Sequence, residues 1–243
     1  MRLDKFIASN TEWSRKDVKI AARKGKIAIN NQPIKDLSYH LADTDEVFFD
    51  GELIEALPPF YLMMNKPEHT VCATKDSLNP TVIDVLSEMA YQKNCSWILN
   101  KPSIVEELQI VGRLDIDTTG LLLITNDGQW NHRVTSPNAA CPKAYRATIA
   151  EPISENAIQQ LEKGVLLKDA KQATRPARVE IINEQTILLT ISEGKYHQVK
   201  RMLAAVGNHV LELHRLAIGP LTLDGDLDFG DFRHLTSEEI HYF

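Results

Sequence analysis

The chain has 243 residues, 43% hydrophobic and 25% charged, with a formal net charge of −6. That length suits one large or two smaller domains of an ordinary soluble globular class; no apolar run approaches the ~20 residues that cross a bilayer, and the opening MRLDKFIASN lacks the apolar core of a signal peptide. The three cysteines, Cys72, Cys95 and Cys141, lie far apart without a CxxC pair, so neither a zinc site nor a disulfide framework is supported, and a reducing cytoplasm without a membrane partner is the expected setting.

The net charge hides a strong local asymmetry. Residues 1–35 hold nine Lys/Arg against three acids, whereas residues 36–56 hold seven acids and no Lys or Arg. Local patches govern phosphate contact, so the basic segment is a nucleic-acid candidate despite the acidic whole. In chain order, Arg2 to Ala8 reads as a helix with Leu3, Phe6 and Ile7 on one face. Ser14 is a natural N-cap for a second helix, Arg15 to Lys24, which Gly25 stops. Strands follow at Lys26 to Ile29 and Glu46 to Phe49, with an Asn30-Asn31 turn after the first. Arg15, Lys16, Lys19, Arg23, Lys24 and Lys26 lie on or just beyond the second helix, several on one face. This first domain spans 1–56. Leu57-Pro58-Pro59 makes residues 57–60 a stiff linker, and a second domain covers 61–243.

The second domain opens with an apolar strand to Met64, then a helix from Thr81 to Met89. Residues 90–110 show no clear period and read as a surface insertion. Leu108 to Val111 and Leu121 to Ile124 are strands around the loop Gly112-Arg113-Leu114-Asp115-Ile116-Asp117-Thr118-Thr119-Gly120. Next come a short helix (Gln129 to Val134), a strand (Tyr145 to Ile149), a helix (Ser154 to Val165) and a hairpin of Arg178 to Ile182 with Thr186 to Ile191. A helix from Tyr196 to Val206 stops at Gly207. Strands at Val210 to Leu213 and Leu221 to Leu223 precede an acidic, solvated loop, Asp224 to Asp231. Thr236-Ser237-Glu238-Glu239 is a capping box opening a final helix. Mixed strands and helices with several hairpins predict an α+β fold around an antiparallel-rich mixed sheet.

A loop between two strands is a common place for chemistry, and here it presents Asp115 or Asp117. On chemistry alone the two carboxylates are not separated; an Asp/Thr-rich loop is also a good turn former. Arg113 reads as an ion-pair partner or as an RNA contact. No GxxxxGK loop, Rossmann glycine pattern or HExxH is present, which disfavours nucleotide hydrolysis, dinucleotide binding and zinc peptidase chemistry.

The string GRLDIDTTGLLL resembles the signature of the RsuA family of pseudouridine synthases. Lys143-Ala144-Tyr145 is similar to the family's KxY pattern. Glu193-Gly194-Lys195-Tyr196-His197-Gln198-Val199-Lys200-Arg201-Met202 and Leu213-His214-Arg215-Leu216-Ala217-Ile218-Gly219 resemble its later motifs. RLDKFIA and SRKDVKIAARKGKIAINNQPI resemble the αL-type RNA-binding module shared with ribosomal small-subunit protein four. These matches run over nearly the whole chain.

The resemblance implies an N-terminal RNA-binding module followed by a pseudouridine synthase domain with a long curved mixed sheet. It implies that Asp115 is the catalytic carboxylate and Asp117 a turn-shaping residue. Tyr145 stacks on the target base, and Lys200 pairs with the catalytic carboxylate. Arg113 and Arg215 contact RNA, as do the six basic residues of the second helix. His197 is read as a structural or RNA contact, not as an acid–base catalyst. Isomerising uridine needs no redox change and no outside atom, so no cofactor or metal is expected. The expected partner is ribosomal RNA, 16S rRNA on the small-subunit branch, as naked RNA or a partly assembled small-subunit particle; a monomer suffices. A sister branch acting on 23S rRNA is the first alternative. An RNA-binding ribosome-assembly protein without turnover is the second.

Overall fold

Local signals set the N-terminal helices. Ser14 accepts the Asp17 N–H, while the Asp17 carboxylate accepts the Ser14 N–H; this capping box starts α2 (Arg15–Arg23). Leu3 and Ile7 of α1 (Leu3–Asn10) pack with Val18, Ala21 and Ala22 of α2 in one cluster with Ile27 and Val47. Asn30 and Asn31 both take positive φ, 51° and 65°, as the two-residue turn between β1 (Ile27–Ile29) and β2 (Gln32–Pro33) requires. With β3 (Val47–Phe49) and β4 (Glu52–Leu53) they form a four-stranded sheet of order β2-β1-β3-β4.

The structure, a computed structural model, describes residues 1–243 except Glu12, Asp43, Leu57 and Lys101; at Asn100 and Ser103 it describes the backbone alone. Leu57 of the expected linker therefore lies outside the described residues. The chain divides into two units, Met1–Pro59 with Lys101–Glu107, and Phe60–Asn100 with Leu108–Phe243.

The second unit is built on a nine-stranded mixed sheet. Its strands are β5 (Tyr61–Lys66), β6 (Gln109–Val111), β7 (Thr118–Thr125), β8 (Lys143–Ile149), β9 (Arg178–Asn183), β10 (Thr186–Ile191), β11 (Val210–Ile218), β12 (Leu221–Thr222) and β13 (Phe232–His234). The order is β13-β5-β7-β11-β8-β10-β9, with β6 on β7 and β12 on β11. Among the described strands of this sheet, only the β11–β7 pair is parallel; the other pairs are antiparallel. Leu121 to Ile124 of β7 are 0% exposed. Both faces of that strand are covered, so its sequence is an unbroken apolar run rather than an alternation.

Since β5 pairs with Gly120–Thr125, β6 (opposite Leu123–Thr125) and β11 (opposite Thr118–Gly120) share the other edge of β7. The sheet is thus interrupted where the chain leaves β6. Gly120 sits at this junction with φ +102°, and a Cβ there would lie 2.3 Å from the Arg215 carbonyl oxygen. Only glycine permits the two strands to approach so closely.

The helices are α3 (Val82–Gln92), α4 (Ser96–Asn100), α5 (Gly128–Thr135), α6 (Glu155–Lys163), α7 (Gln198–Ala205) and α8 (Ser237–Ile240). Capping boxes at Thr81/Asp84 and Thr236/Glu239 start α3 and α8. Three expectations need correction. Residues 90–110 are only partly at the surface: Tyr91 to Asn94 are exposed, but Ile98, Ile104 and Leu108 are buried, and Trp97 packs edge-on against Phe60 and Phe232. The segment from Asp224 to Asp231 is the expected loop, with Asp226, Asp228 and Phe229 exposed, and it is also tied down, with Gly230 N–H donating to Asn65 O at 2.8 Å and Asn65 Nδ2 to Leu227 O at 2.8 Å. β11 runs five residues past Leu213 to Ile218. Finally, α7 starts at Gln198, because His197 is held in the left-handed region at φ 46°.

Candidate active site

The loop that carries the two aspartates leaves β6 at Gly112 (φ +73°) and enters β7 at Thr118. Two buried cations grip it from below. Lys66, 0% exposed, donates from Nζ to Pro67 O at 2.9 Å, Thr118 O at 2.9 Å and Ile116 O at 3.4 Å. Arg215, 1% exposed, donates from Nε to Leu121 O at 2.7 Å and from Nη2 to Gly112 O at 3.2 Å. The Leu114 N–H points at Cys72 Sγ, 3.3 Å away, and the Thr118 N–H donates to Asp115 O at 3.1 Å. Burial pushes the Lys66 ammonium below its ordinary pKa against the pull of Cys72, Asp117 and Asp115. Burial likewise pushes the Cys72 thiol up.

Above the loop stands the start of α7. Lys200 Nζ lies 2.5 Å from Asp117 Oδ1 and 3.6 Å from Asp115 Oδ2. His197 Nε2 lies 3.4 Å from Asp115 Oδ1. Burial raises the Asp117 pKa, but the hydrogen bond and charge of Lys200 outweigh it, and the carboxyl sits below its ordinary value. Lys200, expected to pair with Asp115, thus bridges both carboxylates and makes its shorter contact to Asp117. Asp115 is left with two longer contacts, to the Lys200 ammonium and the His197 imidazole, and a side chain 26% exposed.

The cleft around these groups has a volume of about 620 Å³ and is lined by Arg113, Asp115, Tyr145, His197, Lys200 and Arg215, among others. That lies within the range of roughly 300–1,000 Å³ common for small-ligand sites. Tyr145 of β8 is 7% exposed and lies in register with Arg215 of β11. A bulge between Arg215 and Ala217 breaks the pairing beside it; such bulges re-aim side chains. Lys143 of the same strand donates to Cys141 O at 2.9 Å. Arg113 is exposed on the lining. Arg215 differs from expectation. Its guanidinium is committed to two backbone carbonyls and is nearly closed to solvent, a bracing position rather than one for grasping a phosphate.

In the first unit, Arg15, Lys19 and Arg23 project from one face of α2, as their four-residue spacing requires. With Arg2 and Lys35 they line a hollow of about 310 Å³. Lys16 and Lys24 are exposed outside that lining, and Lys26 is ion-paired with Asp50. Among the described residues, no group of three or more His, Cys, Asp or Glu is placed to hold a metal, and no helix is long and apolar enough to cross a membrane.

Sequence reasoning missed Lys66 and Cys72 as loop supports and did not bring His197 to Asp115. The Lys66 signal was there, a lysine ending an apolar strand; the other two depend on long-range packing that spacing does not reveal.

The sheet, the aspartate loop and the basic N-terminal unit define a class, a two-part RNA-modifying protein. The comparisons agree. The model of the RNA pseudouridylate synthase family matches residues 60–205, and that of the S4 domain matches residues 1–47. A Yersinia pestis protein named ribosomal small subunit pseudouridine synthase A is 46% identical, covering 99% of this chain and 97% of its own. The Escherichia coli K12 protein of that name is 45% identical, at 99% and 98% coverage. A crystal structure of a pseudouridylate synthase superposes with a TM-score of 0.69 at 42% identity, covering 100% of this chain and 99% of its own. The chain belongs to the RNA pseudouridylate synthase family and carries an N-terminal S4 domain.

Proposed function

We propose that this protein isomerises a specific uridine of 16S rRNA to pseudouridine, with Asp115 as the catalytic carboxylate. The observation that carries this reading is the carboxylate's setting. Asp115 rises from a loop braced by two buried cations into a cleft where Lys200, His197 and the Tyr145 ring converge. The reaction breaks the N1–C1′ bond of uridine, turns the base, and joins C5 to C1′; the C5 hydrogen leaves as a proton and N1 gains one. It needs a positioned carboxylate, a cation beside it, and a pocket for a base drawn out of its stack. Tyr145 supplies a stacking face for that base and Arg113 a cation for the RNA chain.

Residues 1–56 act as the RNA-binding module, residues 57–60 as the linker, and residues 61–243 as the catalytic domain. Arg15, Lys16, Lys19, Arg23, Lys24 and Lys26 contact RNA phosphates, Arg15, Lys19 and Arg23 through the hollow that they share. The 16S choice is supported by the name of the full-length relatives at 42–46% identity. The protein works as a cytoplasmic monomer on naked RNA or a partly assembled small-subunit particle.

The test is tritium release from rRNA labelled at uridine C5, using 16S and 23S rRNA, each naked and as partly assembled particles. Release from 16S substrates alone is the expected result. Release from 23S rRNA alone moves the protein to the other branch, and RNA binding without release from any substrate makes it an assembly protein.

A further inference from the structure

Among the described residues Tyr196 is the most exposed aromatic side chain, at 71%, although it belongs to the lining of the cleft. Its ring is not loose. It stacks on the His197 imidazole with centroids 3.7 Å apart and planes 21° from parallel. The backbone beneath is fixed too: Arg201 Nη1 donates to Tyr196 O at 3.2 Å, and His197 holds its left-handed conformation. One face of the phenol ring is therefore covered by the imidazole, and the other is turned to solvent at the mouth of the cleft.

The covering imidazole is the one whose Nε2 lies 3.4 Å from Asp115 Oδ1. The carboxylate thus meets the imidazole at Nε2 on the ring edge, and the phenol covers the ring face. The Tyr196 ring is far more exposed than the Asp115 side chain, whereas Tyr145 lies buried inside the cleft. A flat, pre-oriented aromatic face open to solvent, with basic Lys195 beside it in the chain, is the arrangement single-stranded RNA uses for sequence-tolerant stacking.

We infer that Tyr196, backed by His197, is a stacking platform for the nucleobase adjacent to the target uridine. The inference rests on the synthase reading above. When the target uridine is drawn into the cleft, its neighbour loses a stacking partner in the RNA. Tyr196 replaces that partner and holds the flanking nucleotide in register with Asp115. The platform serves binding of the splayed strand and leaves the chemical step to Asp115.

The test uses the full-length protein and C5-tritiated 16S rRNA, with KM and kcat for tritium release measured separately. The variants are Tyr196→Phe, Tyr196→Trp, Tyr196→Leu and Tyr196→Ala. Loss of one base–aromatic stack is expected to raise KM roughly tenfold in the Leu and Ala variants, with kcat and the melting temperature unchanged. Phe and Trp keep the wild-type KM, since the platform needs a π-face and not the hydroxyl. A Leu variant indistinguishable from Phe overturns the platform. So does a fall in kcat at unchanged KM, which would make Tyr196 a positioning residue for Asp115 through His197. Wild-type protein silent on every rRNA would instead overturn the synthase reading itself.

Discussion

Replacing Lys66 by Met tests whether the aspartate loop is held from beneath. The substitution keeps an unbranched apolar side chain in β5 but removes the ammonium that donates to Pro67 O, Thr118 O and Ile116 O at 2.9, 2.9 and 3.4 Å. Hydrogen bonds from a charged group contribute about 1.5–3 kcal/mol each; two of these are well formed and the third is long. Against them stands the cost of burying the charge, which also drives the lysine pKa down. The net loss works out at about 3 kcal/mol, within the range for breaking a buried charged set and orphaning its partners. At about 2–4 °C per kcal/mol for a chain of this size, the melting temperature falls by about 6–12 °C.

Two of the three freed carbonyls flank Asp117, two residues beyond Asp115. The loop therefore shifts, and a displacement of about 1 Å at a catalytic group costs up to about a hundredfold in rate. Calorimetry gives the melting temperature, and tritium release well below the transition gives kcat. A Lys66→Met protein that melts within about 1 °C of wild type and turns over normally would refute the clamp.

Other consequences follow from the same geometry. Arg233 donates to both oxygens of Glu239 at 2.8 Å, and this pairing lowers the Glu239 pKa from 4.5 to about 2. A depressed carboxylate stabilises the fold fully above its unfolded pKa and loses that contribution as pH falls through the folded one. About 3 kcal/mol is thus lost between pH 4.5 and about 2; acid titrations of wild type and Glu239→Gln should converge in that window, and parallel curves would contradict the assignment. Gly120→Ala forces a Cβ to 2.3 Å from Arg215 O at φ +102°, and should lower stability by about 3 kcal/mol or more in a denaturant titration. A Lys19→Ala/Arg23→Ala protein should bind rRNA with a salt slope shallower by about 1–2, since each phosphate contact contributes about 0.7–0.9; an unchanged slope would remove α2 from the RNA interface.

Elements with local causes were legible in the sequence. The Ser14 and Thr236 caps and the Asn30-Asn31 turn act on backbone within a few residues, the apolar runs either side of the aspartate loop follow from their side-chain pattern alone, and each marks a real element. What escaped was fixed at long range. The Val210–Ile218 strand is disguised by His214 and Arg215, whose polarity is resolved by Thr119 and by the carbonyls of Gly112 and Leu121. Residues 90–110 lack a period because short pieces bury single residues, Ile98 and Ile104, instead of one continuous face. In the site, the motif residues were legible as a set. Their pairing was not: spacing cannot say that Lys200 reaches Asp117 at 2.5 Å and Asp115 only at 3.6 Å.

That pairing makes the choice between the two aspartates the point to test most directly. Tritium release from C5-labelled 16S rRNA should be measured for wild type, Asp115→Asn and Asp117→Asn, with RNA binding recorded for each. Asp115→Asn is expected to bind RNA and release no tritium, while Asp117→Asn continues to turn over. Full activity in Asp115→Asn, or its loss in Asp117→Asn alone, would contradict the assignment of Asp115 as the catalytic carboxylate.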